Sequence, residues 1–169
     1  MTMRYKFKVV ICGDHGVGKT SLLRRFVENK FDKDYLSTLG ANILSKEYVT
    51  PKGNIIELLL WDIAGQQVFK HARNKFYQGA QGAVVVYDVT RPMSFQNIDE
   101  WLEELQDSPV NSMILVGNKI DLPKEVLAED AQKFAEEKGM SFLETSALSN
   151  TNVNEAFKTL AMEIVKKHQ

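Results

Sequence analysis

Gly13-Asp14-His15-Gly16-Val17-Gly18-Lys19-Thr20 fills every fixed position of the pattern G-x-x-x-x-G-K-[ST]. A loop of this kind needs glycines so that successive backbone N–H groups can curl inward and approach an anion with no Cβ in the way. It also needs a strand before it and a helix after it. The β-branched run Phe7-Lys8-Val9-Val10-Ile11-Cys12 supplies the strand and stops at Gly13. From Lys19 to Lys30, Leu22, Leu23 and Phe26 recur at helical spacing, and Val27 extends the face. That helix would point its N-terminal dipole at the same anion. Lys19 is then placed to neutralise β- and γ-phosphate charge, and the Thr20 hydroxyl to ligate Mg²⁺. The loop implies a nucleoside triphosphate, but neither its base nor its reaction.

Outward from the loop, short apolar runs alternate with helical patterns. Residues 41–50 and 55–62 read as two strands joined by the turn Pro51-Lys52-Gly53-Asn54. Residues 83–88 and 113–118 are nearly all apolar, as parallel strands buried on both faces are, and 141–145 forms a last short strand. Segments 94–107, 126–138 and 152–167 read as helices. In the last of these Val153, Ala156, Phe157, Leu160, Ala161 and Ile164 share one stripe. The order predicts an α/β fold in three layers, a P-loop sheet of about six mostly parallel strands with one antiparallel strand and about five helices. With no internal repeat or linker, residues 1–169 are expected to form one domain.

Composition narrows the class. The chain has 169 residues, 44% hydrophobic and 25% charged, which suits an ordinary globular protein. A formal net charge of −1 argues against a general binder of nucleic acid or membrane surfaces. The single cysteine, Cys12, can form neither an internal disulfide nor a cysteine-based zinc site. No apolar run approaches the roughly 18 residues of a membrane span, and the start carries neither a signal peptide nor a myristoylation glycine. A cytoplasmic protein without a lipid anchor in this chain is therefore expected. Peripheral membrane association would require a lipidated tail beyond this chain or recruitment by a partner.

Asn118-Lys119-Ile120-Asp121 closes the apolar strand that precedes it, where open α/β sheets bind ligands. A carboxylate accepts two donors side by side, and guanine presents such a pair at N1–H and its exocyclic amine. Adenine has no matching pair, so Asp121 reads guanine. Lys119 can lie along the base plane, and Asn118 can tie the segment to neighbouring loops. Glu144-Thr145-Ser146-Ala147 follows the last strand, and the Ala147 N–H is a candidate partner for the guanine carbonyl oxygen. In Trp61-Asp62-Ile63-Ala64-Gly65-Gln66, Asp62 suits a Mg²⁺ role through water. The Gly65 N–H can meet a γ-phosphate, and Gln66 could orient an attacking water.

Together these motifs resemble a small GTPase of the Ras superfamily, with Phe76-Tyr77-Gln78-Gly79-Ala80 and Val86-Tyr87-Asp88-Val89-Thr90 most similar to the Rab branch. The resemblance implies a monomeric GTP/GDP switch that signals through segments of about 33–43 and 62–78. It implies catalytic roles for Gln66, Lys19 and Thr38, with Thr20, Thr38 and (through water) Asp62 as Mg²⁺ ligands. The nucleotide-binding set it implies is Asp14, His15, Gly16, Val17, Gly18, Lys19, Thr20, Ser21, Phe31, Tyr35, Thr38, Gly65, Asn118, Lys119, Asp121, Ser146, Ala147 and Leu148. Phe31 would pack edge-on against guanine, and Tyr35 would cover the phosphates. Partners implied are an exchange factor, a GTPase-activating protein and effectors, in trafficking or signalling, with no nucleic acid.

Several residues depart from the family pattern. His15 stands where Ras has glycine and Rab proteins often serine, Gln67 replaces an acidic residue, and Leu148 replaces a lysine. No arginine is evidently supplied in cis to the transition state. Since such a group contributes on the order of 10³–10⁵ in rate, slow intrinsic hydrolysis is expected. His15 and Gln67 leave open a hydrolysis-deficient scaffold that holds GTP and binds partners. A nucleotide kinase would need a lid insertion with arginines, which the sequence does not offer. Trp101 is expected to pack in the core, and Cys12 to be a small buried hydrophobe.

Overall fold

The computed structural model describes residues 1–29 and 40–168. Its central strand is β1 (Arg4–Cys12), in which alternate side chains serve opposite faces. Val9 and Ile11 join one apolar cluster, and Val10 and Cys12 join the other. β1 pairs in parallel with β3 (Ile55–Ile63) from Arg4 opposite Ile55, and with β4 (Gly82–Asp88) from Val9 opposite Gly82. The pairing with β3 explains why the strand begins at Arg4, ahead of the apolar run that marks it in the sequence. β4 is followed by β5 (Ser112–Asn118) and β6 (Ser141–Glu144), both parallel. β2 (Ala41–Val49) is antiparallel to β3, and the sheet order is β2-β3-β1-β4-β5-β6. The turn between β2 and β3 is closed by Thr50, whose N–H donates to the Asn54 carbonyl at 2.8 Å.

Two helical layers cover this sheet. On one face lie α1 (Lys19–Glu28) and α6 (Val153–Lys167), joined by Phe26 and Phe157, whose rings stack with centroids 4.4 Å apart. On the other lie α3 (Pro92–Gln96), α4 (Ile98–Leu105) and α5 (Ala128–Lys138), with Trp101 and Ala131 in the core. Short 3-10 turns, Gln67–Phe69 and Asn74–Tyr77, flank the single helical turn α2 (Lys70–Arg73). α3 and α4 are halves of one helix interrupted at Asn97. Counted together, they bring the described helices to the five expected. α1 ends at Glu28 because Asn29 takes the left-handed conformation at φ 56° and returns its N–H to the Arg25 carbonyl.

The fold thus meets the expectation of a three-layer, mostly parallel α/β sheet with one antiparallel strand. No helix among the described residues is long and apolar enough to cross a membrane. The arrangement gathers the carboxyl ends of β1, β3, β5 and β6 along one edge of the sheet. Connections from β1 and β4 leave toward opposite faces there, which creates a crevice above the strands.

Candidate functional site

The phosphate loop rises from β1 as residues 13–18 and turns directly into α1. Gly18 shows why the loop must contain glycine: its φ is +102°, and a Cβ there would lie 2.3 Å from the Asn118 side-chain nitrogen. Lys19 is 5% exposed and folds back over the loop, donating to the Gly13 carbonyl at 2.8 Å and the Asp14 carbonyl at 2.9 Å. Burial lowers its pKa to about 8, against the opposing pull of Asp62. An anion in the loop would relieve that penalty. The Thr20 hydroxyl donates to Asp62 at 2.5 Å, and Asp62 at the end of β3 is 1% exposed. Ser21 is half-buried in the first turn of α1, and Val17 is fully buried beneath the loop.

Just beyond Asp62, Gly65 lies against the phosphate loop itself. A Cβ at Gly65 would fall 2.3 Å from the Gly13 carbonyl oxygen and 2.7 Å from the His15 nitrogen. Gln66 is adjacent, and its side-chain oxygen has no hydrogen-bond partner among the described residues. Phe31, Tyr35 and Thr38 lie outside the described residues.

The segments expected to read the base converge from β5 and β6. Asn118 is 2% exposed; its amide donates to the Val17 carbonyl at 3.0 Å, and its oxygen accepts from Thr145 at 2.9 Å. Lys119 adopts a left-handed backbone at φ 73°, a conformation a non-glycine residue holds at some cost. From there its ammonium reaches the Gly16 carbonyl at 2.8 Å and pairs with Asp88 at 3.0 Å. Burial works to raise the Asp88 pKa, but hydrogen bonds from Thr90 and Lys119 more than offset it and hold it below the usual range. Asp121 is exposed and accepts a hydrogen bond from the buried Ser146 hydroxyl at 2.7 Å. Ala147 is buried beside Ser146, while Leu148 is exposed.

Several participants were not legible in the sequence. Arg25 on α1 donates to the carbonyls of Ala147 at 2.8 Å and Leu148 at 3.1 Å, clamping the base loop to the helix below the phosphates. Asp14 turns its carboxylate to Asn97 at 2.7 Å and to the Trp101 indole N–H at 2.9 Å. Its backbone thus serves the loop while its side chain is used elsewhere. Trp101 packs in the core as expected, but its polar edge also anchors the phosphate loop. Arg91 donates to the His15 carbonyl at 3.0 Å, and the His15 side chain itself is exposed. Arg73 is 1% exposed, a position that no local pattern in Lys70-His71-Ala72-Arg73 signals. Burial works against its charge, and Glu104 more than compensates, raising its pKa above the usual value.

A phosphate loop at the carboxyl edge of a parallel sheet, locked to an Asn-Lys-x-Asp segment, defines a P-loop nucleotide-binding protein. The Ras family model matches residues 8–166. Relatives include Ras-related protein RABA2a of Arabidopsis thaliana, 43% identical over 166 residues that cover 96% of this chain and 76% of the relative. Ras-related protein YPTC6 of Chlamydomonas reinhardtii is 43% identical over 164 residues, covering 95% of this chain and 76% of that protein. The chain belongs to the Ras family and is a Rab-like, GTP-binding small GTPase.

Proposed function

We propose that residues 1–169 form a single GTP-binding domain that cycles between GTP and GDP, hydrolyses GTP slowly, and signals through segments 33–43 and 62–78. The observation that carries this reading is the lock between loops: Asn118 and Lys119 bond the Val17 and Gly16 carbonyls, so base recognition and phosphate recognition are one rigid unit. Asp121 and the Ala147 N–H select guanine. Lys19, the loop N–H groups and the Gly65 N–H stabilise charge on the γ-phosphate as it leaves. Gln66, whose side-chain oxygen has no hydrogen-bond partner among the described residues, orients the attacking water.

The donor set fits Mg²⁺, because Thr20 and Asp62 place hard oxygens side by side at 2.5 Å. Thr20 would hold the ion directly, Asp62 through water, and Thr38 as the second side-chain ligand carried by the resemblance. When bound, Mg²⁺ neutralises charge on the β- and γ-phosphate oxygens. His15 is exposed, which favours a hydrolysing switch over an inert scaffold. The switch would act as a cytoplasmic monomer with an exchange factor, an activating protein and effectors in trafficking or signalling. A tail or a partner would bring it to membranes.

Single-turnover hydrolysis of bound GTP at saturating Mg²⁺ tests the reading. Slow conversion to GDP, abolished by Gln66→Leu, is expected. No conversion in the unmodified chain would establish the scaffold instead, and displacement of GTP by ATP at comparable concentration would overturn the assignment of Asp121.

A further inference from the structure

Arg73 heads the fully buried large side chains among the described residues, and its guanidinium is spent on specific partners. Nε and Nη2 donate to the two carboxylate oxygens of Glu104 on α4, at 2.7 and 2.8 Å. Nη1 donates to the carbonyls of Gln66 at 2.9 Å and Ala64 at 3.3 Å, the residues on either side of Gly65. Its Cζ lies 4.3 Å from the Trp101 ring centre. Tyr77 fixes the same carboxylate, donating to it at 2.7 Å.

A buried ion pair contributes little net stability compared with well-packed apolar residues of the same volume. What a guanidinium does that such residues cannot is grip a carboxylate with one edge and peptide carbonyls with the other. The gripped peptides are those that hold Gly65 against the phosphate loop. Their other side is held too, since the Ala64 N–H donates to the Gly40 carbonyl at 2.8 Å. Trp101 then links this clamp to Asp14, so α4 sets the phosphate loop and the Gly65–Gln66 segment relative to each other.

We infer that Arg73, oriented by Glu104 and Tyr77, is a positioning residue for GTP hydrolysis, holding the Ala64–Gln66 backbone so that the Gly65 N–H and the Gln66 side chain face the γ-phosphate. This rests on the hydrolytic reading above. Arg73 acts through the two carbonyls it holds.

The test uses the full chain loaded with GTP or GDP and the variants Arg73→Met, Arg73→Lys and Tyr77→Phe. Three quantities are read: single-turnover hydrolysis, GDP release, and amide hydrogen exchange. Arg73→Met is expected to slow hydrolysis by about 10- to 100-fold, the scale of a misplaced reacting group. GDP release should change less than about threefold, because the base loops are untouched. Exchange of residues 64–67 should rise while that of 118–121 does not. Arg73→Lys keeps the charge but not the fork, and should restore thermal stability without restoring hydrolysis. Should Arg73→Met not fold, Tyr77→Phe removes one hydrogen bond to Glu104 and should still slow hydrolysis by about two- to fivefold. Wild-type hydrolysis in a folded Arg73→Met, or in Tyr77→Phe where Arg73→Met does not fold, would overturn the proposal. If the unmodified chain hydrolyses nothing, the hydrolytic reading fails on its own. Exchange at 64–67 then decides separately whether Arg73 holds the segment, and unchanged protection would overturn that as well.

Discussion

The base end and the phosphate end of the site are built differently. At the base end the polar groups are answered within the protein: Asn118 by Val17 and Thr145, Asp121 by Ser146, and the Ala147 and Leu148 carbonyls by Arg25. At the phosphate end, among the described residues, Lys19 is buried at a cost to its charge and hydrogen-bonds loop carbonyls, with Asp62 opposing that cost, while the Gln66 side-chain oxygen is unanswered. A recognition pocket gains from being assembled before its ligand arrives, because ordering is not then deducted from affinity. A sensing element gains from the opposite arrangement, since a group already satisfied has nothing left to give the γ-phosphate.

The largest expected effect breaks the base end. Asp121→Asn removes a charged acceptor for two guanine donors and should weaken GTP and GDP by roughly 10²–10⁴-fold, at about 1.5–3 kcal/mol per bond. Binding of xanthine nucleotides should improve in parallel, since the new amide can donate where xanthine presents an acceptor. Competition between the two nucleotide families measures both shifts. Equal losses for guanine and xanthine would mean that Asp121 supports the loop and does not read the base.

Next comes the phosphate end. Gln66→Leu should lower single-turnover hydrolysis by about 10²-fold while leaving GDP affinity within about threefold of the unmodified chain. The contrast is the point: one variant changes affinity, the other rate. A Gln66→Leu chain that lost nucleotide instead would show that the two ends are not separable.

Legibility in the sequence follows the same division. The glycine loop, its lysine and the Asn-Lys-x-Asp segment were readable as one site because each depends on local backbone geometry, and local geometry leaves a spacing in the chain. The parallel sheet was readable because strands buried on both faces become continuous apolar runs, as in residues 83–88. The break at Asn97, whose side-chain amide donates to Asp14 across the fold, was not. Arg25 and Arg73 were invisible too. A basic residue on a short amphipathic segment is ordinarily solvated, and only the tertiary arrangement puts Glu104 or the Ala147 carbonyl within its reach. What the sequence conceals is the support of the site, which is non-local by construction.

Arg25 sharpens the comparison at intermediate cost. Arg25→Gln would loosen the Ala147–Leu148 carbonyls from α1 without touching the nucleotide. With about 1–1.5 kcal/mol lost, GDP release should accelerate roughly tenfold, with hydrolysis of bound GTP nearly unchanged. Stopped-flow release of a fluorescent GDP measures it. Unaltered release would mean that Asn118 and Ser146 hold the base loop unaided.

The smallest effect expected is none, and it locates the boundary of the sensing end. Cys12 is the last residue of β1, immediately before the phosphate loop, and is 0% exposed. Burial pushes its thiol up to about 12, and the nearby Glu104 carboxylate adds to the rise. The thiolate is the reactive species, so at pH 8 only about one molecule in 10⁴ would carry it even if reagent could reach it. A disulfide reagent at pH 8 should therefore leave Cys12 unmodified in the native chain and label it fully in denaturant. Labelling that appears on removal of nucleotide would mean that the end of β1 opens with the loop. Its absence would confine what the γ-phosphate moves to the loops above the strand ends, with the sheet as a fixed base for both halves of the site.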